Sequence, residues 1–352
     1  MDAWEELVTH LKEMNDLAFA GSLAHWDLEV MMPPGGAASR SRVLATLEGL
    51  VHDRLTDPKL GELLDELEST HLDDDEKAAS VRVLRRRYDK ATKVPGALVK
   101  EIAETTSNGY HAWHEAKEAA DFSIFEPHLK KTVALKKDYA DAIGFETERY
   151  EALFDDYEPD MPPADVERVF DELATGLSPI FEQVTERVGP RPQWMHRDFD
   201  NTKRVEFCDW LARHVGFNTN NGRLDTSPHP FTIRAGLNDT RQTVQRKSVP
   251  VAEAVLTTLH ETGHALYDLG MPQTDLPIND SPSMGMHESQ SRLWENHVGR
   301  SREFCEFVLP HLQERFPELS DLSPEEFHRG INRPERSLIR VEADELTYPL
   351  HI

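Results

Sequence analysis

The chain has 352 residues, of which 38% are hydrophobic and 29% are charged, so its composition is that of a folded globular protein and excludes a disordered one. Acidic residues outnumber basic residues by 64 to 39, and the resulting net charge of −25 argues against nucleic-acid binding, because phosphate contacts need clustered Lys and Arg. Every apolar run falls short of the roughly 18 residues that a membrane span needs, and the charged N-terminal segment lacks the pattern of a secretory signal. We therefore expect a cytoplasmic protein without nucleic-acid or membrane partners.

The N-terminal part, residues 1–190, predicts a series of helices. Apolar residues recur at helical spacing in segments such as WEELVTHLKEMNDLAFAGSL and KLGELLDELEST. Clusters of Pro, Gly and acidic residues interrupt this pattern and predict the ends of helices. These breaks are expected at residues 32–36, 71–77, 93–96 and 156–163.

One of these helices contains three successive arginines, Arg85, Arg86 and Arg87. On a helix the three side chains point in different directions, so the pattern favours a solvated face with acidic partners over a nucleic-acid site. Asp74 or Asp75 is expected to cap this helix at its N-terminal end.

The sequence pattern changes over residues 191–247, which contain short segments, turn residues and several Thr. Within it, RLDTSPHPFTIRAGLNDTRQTV predicts short strands joined by a Gly-Leu-Asn-Asp turn, and helices resume at Pro250. The predicted fold class is mainly α: a large helical domain around a deep cleft, with a small β-sheet inserted near residues 191–247. We expect a single domain over residues 1–352, in which residues 248–352 supply the helices of a zinc site.

The segment VPVAEAVLTTLHETGHALYDLG, residues 249–270, predicts a helix with one apolar side and a metal site on it. His260 and His264 are four residues apart, so both imidazoles project from one stripe and can hold a single zinc ion at Zn–N distances of about 2.0–2.1 Å. Glu261 lies one step around the helix, where it can reach a water molecule beside the metal without being a ligand. This is the H-E-x-x-H pattern of metallopeptidases. Two histidines on a helix are often core or surface residues that bind no metal and find other hydrogen-bond partners. On an apolar helix, however, histidines and a glutamate without such partners would cost desolvation energy.

A catalytic zinc of this type needs a third protein ligand and an open fourth position. The segment SPSMGMHESQSRLWENHVGRS, residues 281–301, predicts a helix that starts near His287. Glu288 is our choice of third ligand, through its carboxylate. Glu295, two turns further on, and His287 remain alternatives, because spacing alone does not separate the three. A first-turn Glu favoured by the helix dipole is the structural alternative for Glu288.

These motifs form an ordered set that resembles the carboxypeptidase Taq family of thermostable metallocarboxypeptidases. The resemblance spans nearly the whole chain, and five ordered motifs are far more specific than one H-E-x-x-H. The five motifs are HPF (229–231), DTRQT (239–243), HETGH (260–264), HESQ (287–290) and IRVEAD (339–344).

The resemblance implies a metal-dependent carboxypeptidase that acts on peptides, uses Zn²⁺ with Co²⁺ or Mn²⁺ as alternatives, and forms a homodimer. It assigns metal binding to His260, His264 and Glu288. It assigns the role of general base to Glu261 and places His229, the HPF histidine, at the active site. A donor beyond the metal is needed for the oxyanion of the reaction, and His229 is a candidate for it.

Three further residues carry substrate-binding expectations from the resemblance. Arg340 matches an arginine that meets the C-terminal carboxylate of the substrate, which a guanidinium can bind through two hydrogen bonds. An ion pair with Glu342 or Asp344 is the structural alternative for Arg340. Asp239 and Arg241 are expected to shape the cleft or to hold the substrate strand.

The chain departs from the family at its C-terminal end. It stops at TYPLHI, residues 347–352, inside a helical pattern with no glycine cap or turn, whereas the family continues through further helices with a G-x-x-Q-D-x-H-W motif. We therefore expect a chain that lacks its C-terminal helices, which leaves its activity open. The alternatives are an oligopeptidase that uses the same site and an inactive metal-binding helical scaffold or fragment.

Overall fold

The computed structural model describes residues 2–197, 199–336 and 343–351. The chain divides into two compact units, each built from three separate stretches of sequence. The interpretation of residues 1–352 as one domain stays a prediction. The first unit comprises Met1–Pro159, Ile233–Thr240 and Leu269–Ser283, and the second comprises Asp160–Thr232, Arg241–Asp268 and Met284–Ile352.

Long helices make up most of the first unit, as the sequence predicts. Leu7 and Leu11 of the first helix, Leu60 and Leu64 of the third and Leu84 of the fourth are buried together in one hydrophobic cluster. Full burial of such a side chain stabilises the fold by about 1.5–3 kcal/mol, so this cluster can hold the helices together. The helices up to residue 159 are α1 (Ala3–Val30), α2 (Ala37–Leu55), α3 (Pro58–Ser69), α4 (Asp75–Ala91), α5 (Gly96–Ala119), α6 (Glu126–Ile143) and α7 (Arg149–Phe154).

Four of the gaps between these helices fall where the turn residues predict them. The gaps after α1, α3, α4 and α7 coincide with the four predicted breaks. Of the two cap candidates, Asp74 is the cap of α4: its carboxylate accepts hydrogen bonds from the backbone N–H groups of Glu76 and Lys77 at 2.9 and 3.1 Å. Asp75 is the first residue of the helix.

The three arginines of α4 have acidic partners, as predicted. Arg85 pairs with Asp65 and Glu68, and Arg86 pairs with Asp155. Arg87 Nη1 lies 2.9 Å from a carboxylate oxygen of Asp280. No two of the three side chains share one of these carboxylates, which agrees with a solvated, charge-paired face.

Among the described residues from 160 onwards there are six further α-helices and one sheet of three strands in the order β1-β3-β2. The second unit has its own core, in which Phe207, Leu211, Val255, Leu259 and Leu312 are all buried. None of the described helices combines the length and apolar character that crossing a membrane requires. The elements are α8 (Pro163–Thr185), α9 (Asn201–His214), β1 (Gly222–Ser227), β2 (Thr232–Gly236), β3 (Asp239–Gln245), α10 (Val251–Gly270), α11 (Met284–Arg292), a π-helical segment (Leu293–Val298), α12 (Arg302–Arg315) and α13 (Pro324–Ile331).

The predicted small sheet is confirmed. Its three strands occupy residues 222–245, where the strand pieces are predicted, and they include the predicted turn, in which Asn238 adopts a φ of +56° that Asn tolerates better than most residues. The first part of the range 191–247 also contains helix α9, which the sequence pattern does not predict. The buried face of α9 includes the charged Arg204 beside Phe207 and Leu211, so its apolar pattern is interrupted.

The Asp74 cap yields a test of this local structure. Replacing Asp74 with Ala leaves two backbone N–H groups at the start of α4 without their acceptor, so Asp74→Ala should lower the free energy of unfolding by about 1 kcal/mol. The neighbouring Asp73→Ala is the matched control, because the Asp73 side chain is 95% exposed and its contact with His71 is a surface pair of little energetic value. Chemical unfolding followed by circular dichroism measures both, and equal losses for the two variants would contradict the cap assignment.

Candidate metal centre

Helix α10 presents the two histidines of HETGH on one stripe. Their rings meet edge to face with centroids 4.9 Å apart, and their side chains are 19% and 12% exposed. Val255 and Leu259 on the same helix are fully buried in the core of the second unit. The helix is therefore anchored by its apolar residues while His260 and His264 face a partly open site.

Glu288 of α11 completes a group that could hold a metal ion. Its Oε2 atom lies 3.6 Å from His260 Nε2 and 3.2 Å from His264 Nε2. One ligand atom from each of His260, His264 and Glu288 can be chosen so that all three lie within 4.8 Å of one another. Across the described ranges, this is the one group of three or more His, Cys, Asp or Glu residues that meets the geometry.

Glu295 and His287, the other two candidates for the third ligand, do not face both histidines. Glu295 Oε2 lies 2.8 Å from Nδ1 of His260, the nitrogen that does not face Glu288. His287 stacks on His264 with ring centroids 4.3 Å apart, and its Nε2 lies 2.9 Å from Asp268 Oδ1. Both rivals thus contact a histidine of the group from outside it, and Glu288 is the residue that faces both histidines.

Glycine allows α10 and α11 to approach closely enough for this arrangement. A Cβ atom on Gly263 would lie 2.7 Å from Ser291 Cα and 2.8 Å from the carbonyl oxygen of Gln290, and neither backbone atom can swing aside. Ser291, which is fully buried there, donates from Oγ to the backbone carbonyl of Glu288 at 2.7 Å. The second x position of H-E-x-x-H, Gly263, must therefore lack a side chain for the two helices to approach this closely.

The electrostatic surroundings keep Glu288 ionised. Burial alone would raise the pKa of its carboxyl group, but the interaction with His264 and the charges of His260 and Arg292 outweigh burial and lower the pKa to about 2. Burial would likewise lower the pKa of His260, but its hydrogen bond to Glu295 and the charges of Glu261, Glu295 and Glu288 raise it above the usual value. In the metal-free protein, the group therefore consists of an anionic carboxylate beside an imidazole that binds a proton readily, and a metal ion must displace that proton.

Glu261 is buried, and Thr232 holds its side chain. The Thr232 hydroxyl lies 2.7 Å from Glu261 Oε2 and 3.0 Å from the Glu261 backbone carbonyl oxygen. Thr232 follows the HPF motif directly, so this motif brings its chain segment to the proposed base. His229 itself has an exposed side chain, and its backbone carbonyl accepts a hydrogen bond from Ser227 Oγ at 2.5 Å. A catalytic role for its imidazole stays a prediction.

The DTRQT motif forms most of strand β3 and also contacts α10. Gln242 Oε1 accepts a hydrogen bond from Thr262 Oγ1 at 3.0 Å, and both residues are fully buried. Asp239 and Arg241 are half-buried in the same strand. Their expected roles in shaping the cleft or binding substrate stay predictions.

Arg340, the predicted carboxylate-binding residue, lies outside the described residues, as does most of the IRVEAD motif. The last residue of the motif, Asp344, is buried and accepts a hydrogen bond from Thr347 Oγ1 at 2.7 Å. This contact fixes the turn that leads to Tyr348, whose hydroxyl lies 3.3 Å from Glu288 Oε1. The end of the described chain thus returns to the candidate ligand.

Sequence reasoning did not predict the residues that contact Glu261 and the candidate ligand Glu288. Thr232, Arg292 and Tyr348 all contact Glu261 or Glu288, but none of them belongs to the H-E-x-x-H pattern. Arg292 had a detectable signal: it lies four residues after Glu288 and three before Glu295, so a helix places it beside both. Thr232 and Tyr348 are brought in by tertiary structure, which no local spacing encodes.

Comparison with known proteins identifies the class to which this fold and site belong. A family model described as carboxypeptidase Taq (M32) metallopeptidase matches residues 6–352. Thermostable carboxypeptidase 1 of Thermus thermophilus is 38% identical over 366 residues, which cover 99% of this chain and 72% of that protein. Thermostable carboxypeptidase 1 of Pyrococcus furiosus is 36% identical over 353 residues, with 99% and 71% covered.

A solved structure agrees with these matches. The M32 carboxypeptidase of Deinococcus radiodurans R1 superposes with a TM-score of 0.89 at 36% identity, covering 100% of this chain and 71% of that one. The fold and the matches define a helical metallopeptidase, which is a hydrolase. The chain belongs to the carboxypeptidase Taq (M32) metallopeptidase family, and the resemblance and the fold class predicted from the sequence are confirmed. Alignment coverage does not itself support the expected loss of C-terminal helices.

The glycine contact between α10 and α11 can be tested directly. Gly263→Ala places a methyl group against backbone atoms, so the two helices must separate, and we expect a loss of about 1–3 kcal/mol in the free energy of unfolding together with weaker metal binding. Gly176→Ala in α8 is the control, since its new methyl group meets no atom within 4 Å and alanine favours a helix. Thermal melting and metal titration of both variants measure the effect. Parent-like melting and metal affinity in Gly263→Ala would show that the close approach is unnecessary.

Proposed function

We propose that this chain is a metal-dependent carboxypeptidase that hydrolyses the C-terminal peptide bond of peptides, with His260, His264 and Glu288 as ligands of a zinc ion. The observation that carries the proposal is the convergence of these three side chains, with buried Glu261 one step along the same helix. Membership of a family whose relatives are named carboxypeptidases supports the choice of reaction.

The donor set fits a zinc ion. Two imidazole nitrogens and one carboxylate oxygen are a set found in catalytic zinc sites that keep a fourth position open. Glu295 occupies Nδ1 of His260, so Nε2 is the nitrogen available to a metal, and Glu288 is ionised as a ligand must be. The same donors also accept Co²⁺ or Mn²⁺, so metal availability would select between them.

The residues of the chain have separable roles in this proposal. When bound, a zinc ion polarises the scissile carbonyl group and activates water as a nucleophile. The Glu261 carboxylate takes the proton of the attacking water and delivers it to the nitrogen of the leaving amine. Thr232 orients that carboxylate by holding Oε2, which limits the positions from which the other oxygen can act.

We also propose how the chain recognises its substrate. An exopeptidase must bind a free carboxylate, and Arg340 is proposed for this because a guanidinium matches a carboxylate in geometry and charge. His229 is proposed to donate to the oxyanion of the reaction, and Asp239 and Arg241 are proposed to shape the cleft or to hold the substrate strand. Assembly as a homodimer and location in the cytoplasm are proposals from the family resemblance and the sequence alone.

The proposed reaction is tested with peptides blocked at one end. Zinc-loaded protein should release the last amino acid from N-blocked peptides and leave C-amidated peptides intact, because an amide lacks the required carboxylate. Glu261→Gln should lower kcat by a factor of about 10² or more with metal still bound, since it removes the base. Glu288→Ala should lose metal itself.

These arms distinguish the alternatives. Internal cleavage of peptides blocked at both ends would indicate an oligopeptidase, and metal binding without any cleavage would indicate an inactive scaffold. A parent-like rate in metal-loaded Glu261→Gln would overturn the assignment of the base.

The Thr232 contact makes a further prediction about the proposed base. Thr232→Val removes the hydroxyl group but keeps the shape, so kcat should fall about tenfold to a hundredfold with little change in KM or metal content, because a misplaced group slows the chemical step. Thr232→Ser keeps a hydroxyl group and should recover most of the rate. Steady-state kinetics of the two variants decide the matter: equal impairment in both would mean that the hydroxyl group does not orient Glu261.

A further inference from the structure

The two carboxylate oxygens of Glu288 have different surroundings. Oε2 faces His260 and His264, as described above, and lies 3.1 Å from the Ser291 hydroxyl, whose shorter contact, at 2.7 Å, is with the Glu288 backbone carbonyl. Oε1 points away from them and lies 3.2 Å from Nε of Arg292 and 3.3 Å from the hydroxyl of Tyr348. Two hydrogen-bond donors, Arg292 Nε and the Tyr348 hydroxyl, thus converge on Oε1, the oxygen that does not face the two histidines.

Arg292 also reaches the second carboxylate of the site. Its Nη1 lies 2.9 Å from Glu295 Oε2, the same atom that accepts from His260 Nδ1. The Arg292 guanidinium therefore contacts Glu288, a candidate ligand, through Nε. Through Nη1 it contacts Glu295, which in turn holds the ring of His260, another candidate ligand. The planar fork of Arg fixes the angle between these two contacts, which a Lys ammonium cannot do.

Tyr348 covers this guanidinium. The Arg292 Cζ atom lies 3.6 Å from the centroid of the Tyr348 ring, within the range of a cation–π contact. The side chains of Arg292 and Glu295 are only 14% and 6% exposed, so solvent screens these contacts weakly. The ring restricts the guanidinium from one face while the carboxylates hold it in the plane.

We propose that Arg292 and Tyr348 form a clamp that makes Glu288 a one-oxygen metal ligand. In this account, which rests on the metal site of the proposed function, both are positioning residues and neither touches the metal. Holding Oε1 leaves Oε2 as the coordinating atom and keeps a coordination position open for water or substrate. The contact from Arg292 to Glu295 at the same time fixes the ring orientation of His260.

The charge of Arg292 gives an opposing expectation, which makes the proposal testable in sign. A cation near a divalent metal repels it, so charge alone predicts that losing Arg292 tightens metal binding. The guanidinium, however, is paired with Glu288 and Glu295, and this pairing offsets its field at the metal. Loss of geometry therefore outweighs relief of repulsion: zinc binding should weaken in Arg292→Gln, which loses both the charge and the fork, whereas repulsion alone predicts tighter binding.

The test uses Arg292→Lys, which keeps the charge and loses the fork, and Tyr348→Phe, which keeps the ring and loses the hydroxyl group. Competition with a chelator measures the dissociation constant for Zn²⁺, and visible absorption of Co²⁺-loaded protein reports coordination number. We expect Zn²⁺ binding about 10- to 100-fold weaker in Arg292→Lys and about two- to tenfold weaker in Tyr348→Phe. Both variants should show weaker Co²⁺ absorption bands, because a second carboxylate oxygen raises the coordination number.

Arg302→Lys and Tyr157→Phe are matched controls at exposed positions and should behave like the parent. Parent-like zinc affinity and cobalt spectrum in both Arg292→Lys and Tyr348→Phe, or tighter zinc binding by Arg292→Gln, would overturn the clamp. Melting of the metal-free variants checks folding, and Tyr348→Phe decides the outcome where Arg292→Lys is unfolded. If the parent binds no metal, the clamp and the proposed function both fail. If it binds metal without cleaving peptides, only the proposed function fails, because neither clamp readout uses activity.

Discussion

The close packing of α10 against α11 is the contact on which the candidate site depends. The two histidines are carried by one helix and Glu288 by the other, so the separation of the helices sets the separation of the ligand atoms. Gly263 makes the approach feasible, because it lies against the backbone of Ser291. A second glycine, Gly299, follows the π-helical segment that continues α11, and a Cβ atom there would come within 2.6 Å of Leu259 on α10. Trp294 and Val298 of this segment pack against the apolar core that includes Val255 and Leu259 of α10, and this burial stabilises the arrangement.

This packing places several charged groups in a poorly solvated region, which would be unfavourable if they were unpaired. Each carboxylate described there has a partner: Glu288 contacts Arg292, Glu295 contacts His260 and Arg292, and Glu261 is held by Thr232. In the metal-free protein the histidines serve as partners for the carboxylates. The same set of side chains could hold a divalent cation, which would then take over that role.

The sequence was sufficient to predict those features of the candidate site that depend on local spacing. Helical periodicity predicted the helices up to residue 190, and the spacing of His260 and His264 predicted one stripe on α10. Spacing could not separate Glu288 from Glu295 and His287, because all three lie within two turns of one another. The outcome depends on how α11 and its π-helical continuation pack on α10, and π-helical segments are rare and lack a clear sequence signal.

The contacts that distant segments make with the candidate site also depend on tertiary packing, so sequence spacing could not predict them. Thr232 and Tyr348 lie 29 residues before Glu261 and 60 residues after Glu288, respectively, and only the folded chain brings them to these carboxylates. Helix α9 was missed because its buried stripe includes the charged Arg204, while Val205 and Trp210 lie off that stripe, so its apolar residues do not give a clear helical period.

The central claim is that two imidazoles and one carboxylate of this chain hold a single zinc ion. X-ray absorption at the zinc edge, on protein loaded with zinc and dialysed to remove excess, tests it most directly. The account predicts one zinc per chain with two imidazole nitrogens at about 2.0–2.1 Å and the remaining near neighbours oxygen. Failure to retain stoichiometric zinc, or a coordination shell with sulfur or with fewer than two imidazoles, would contradict it.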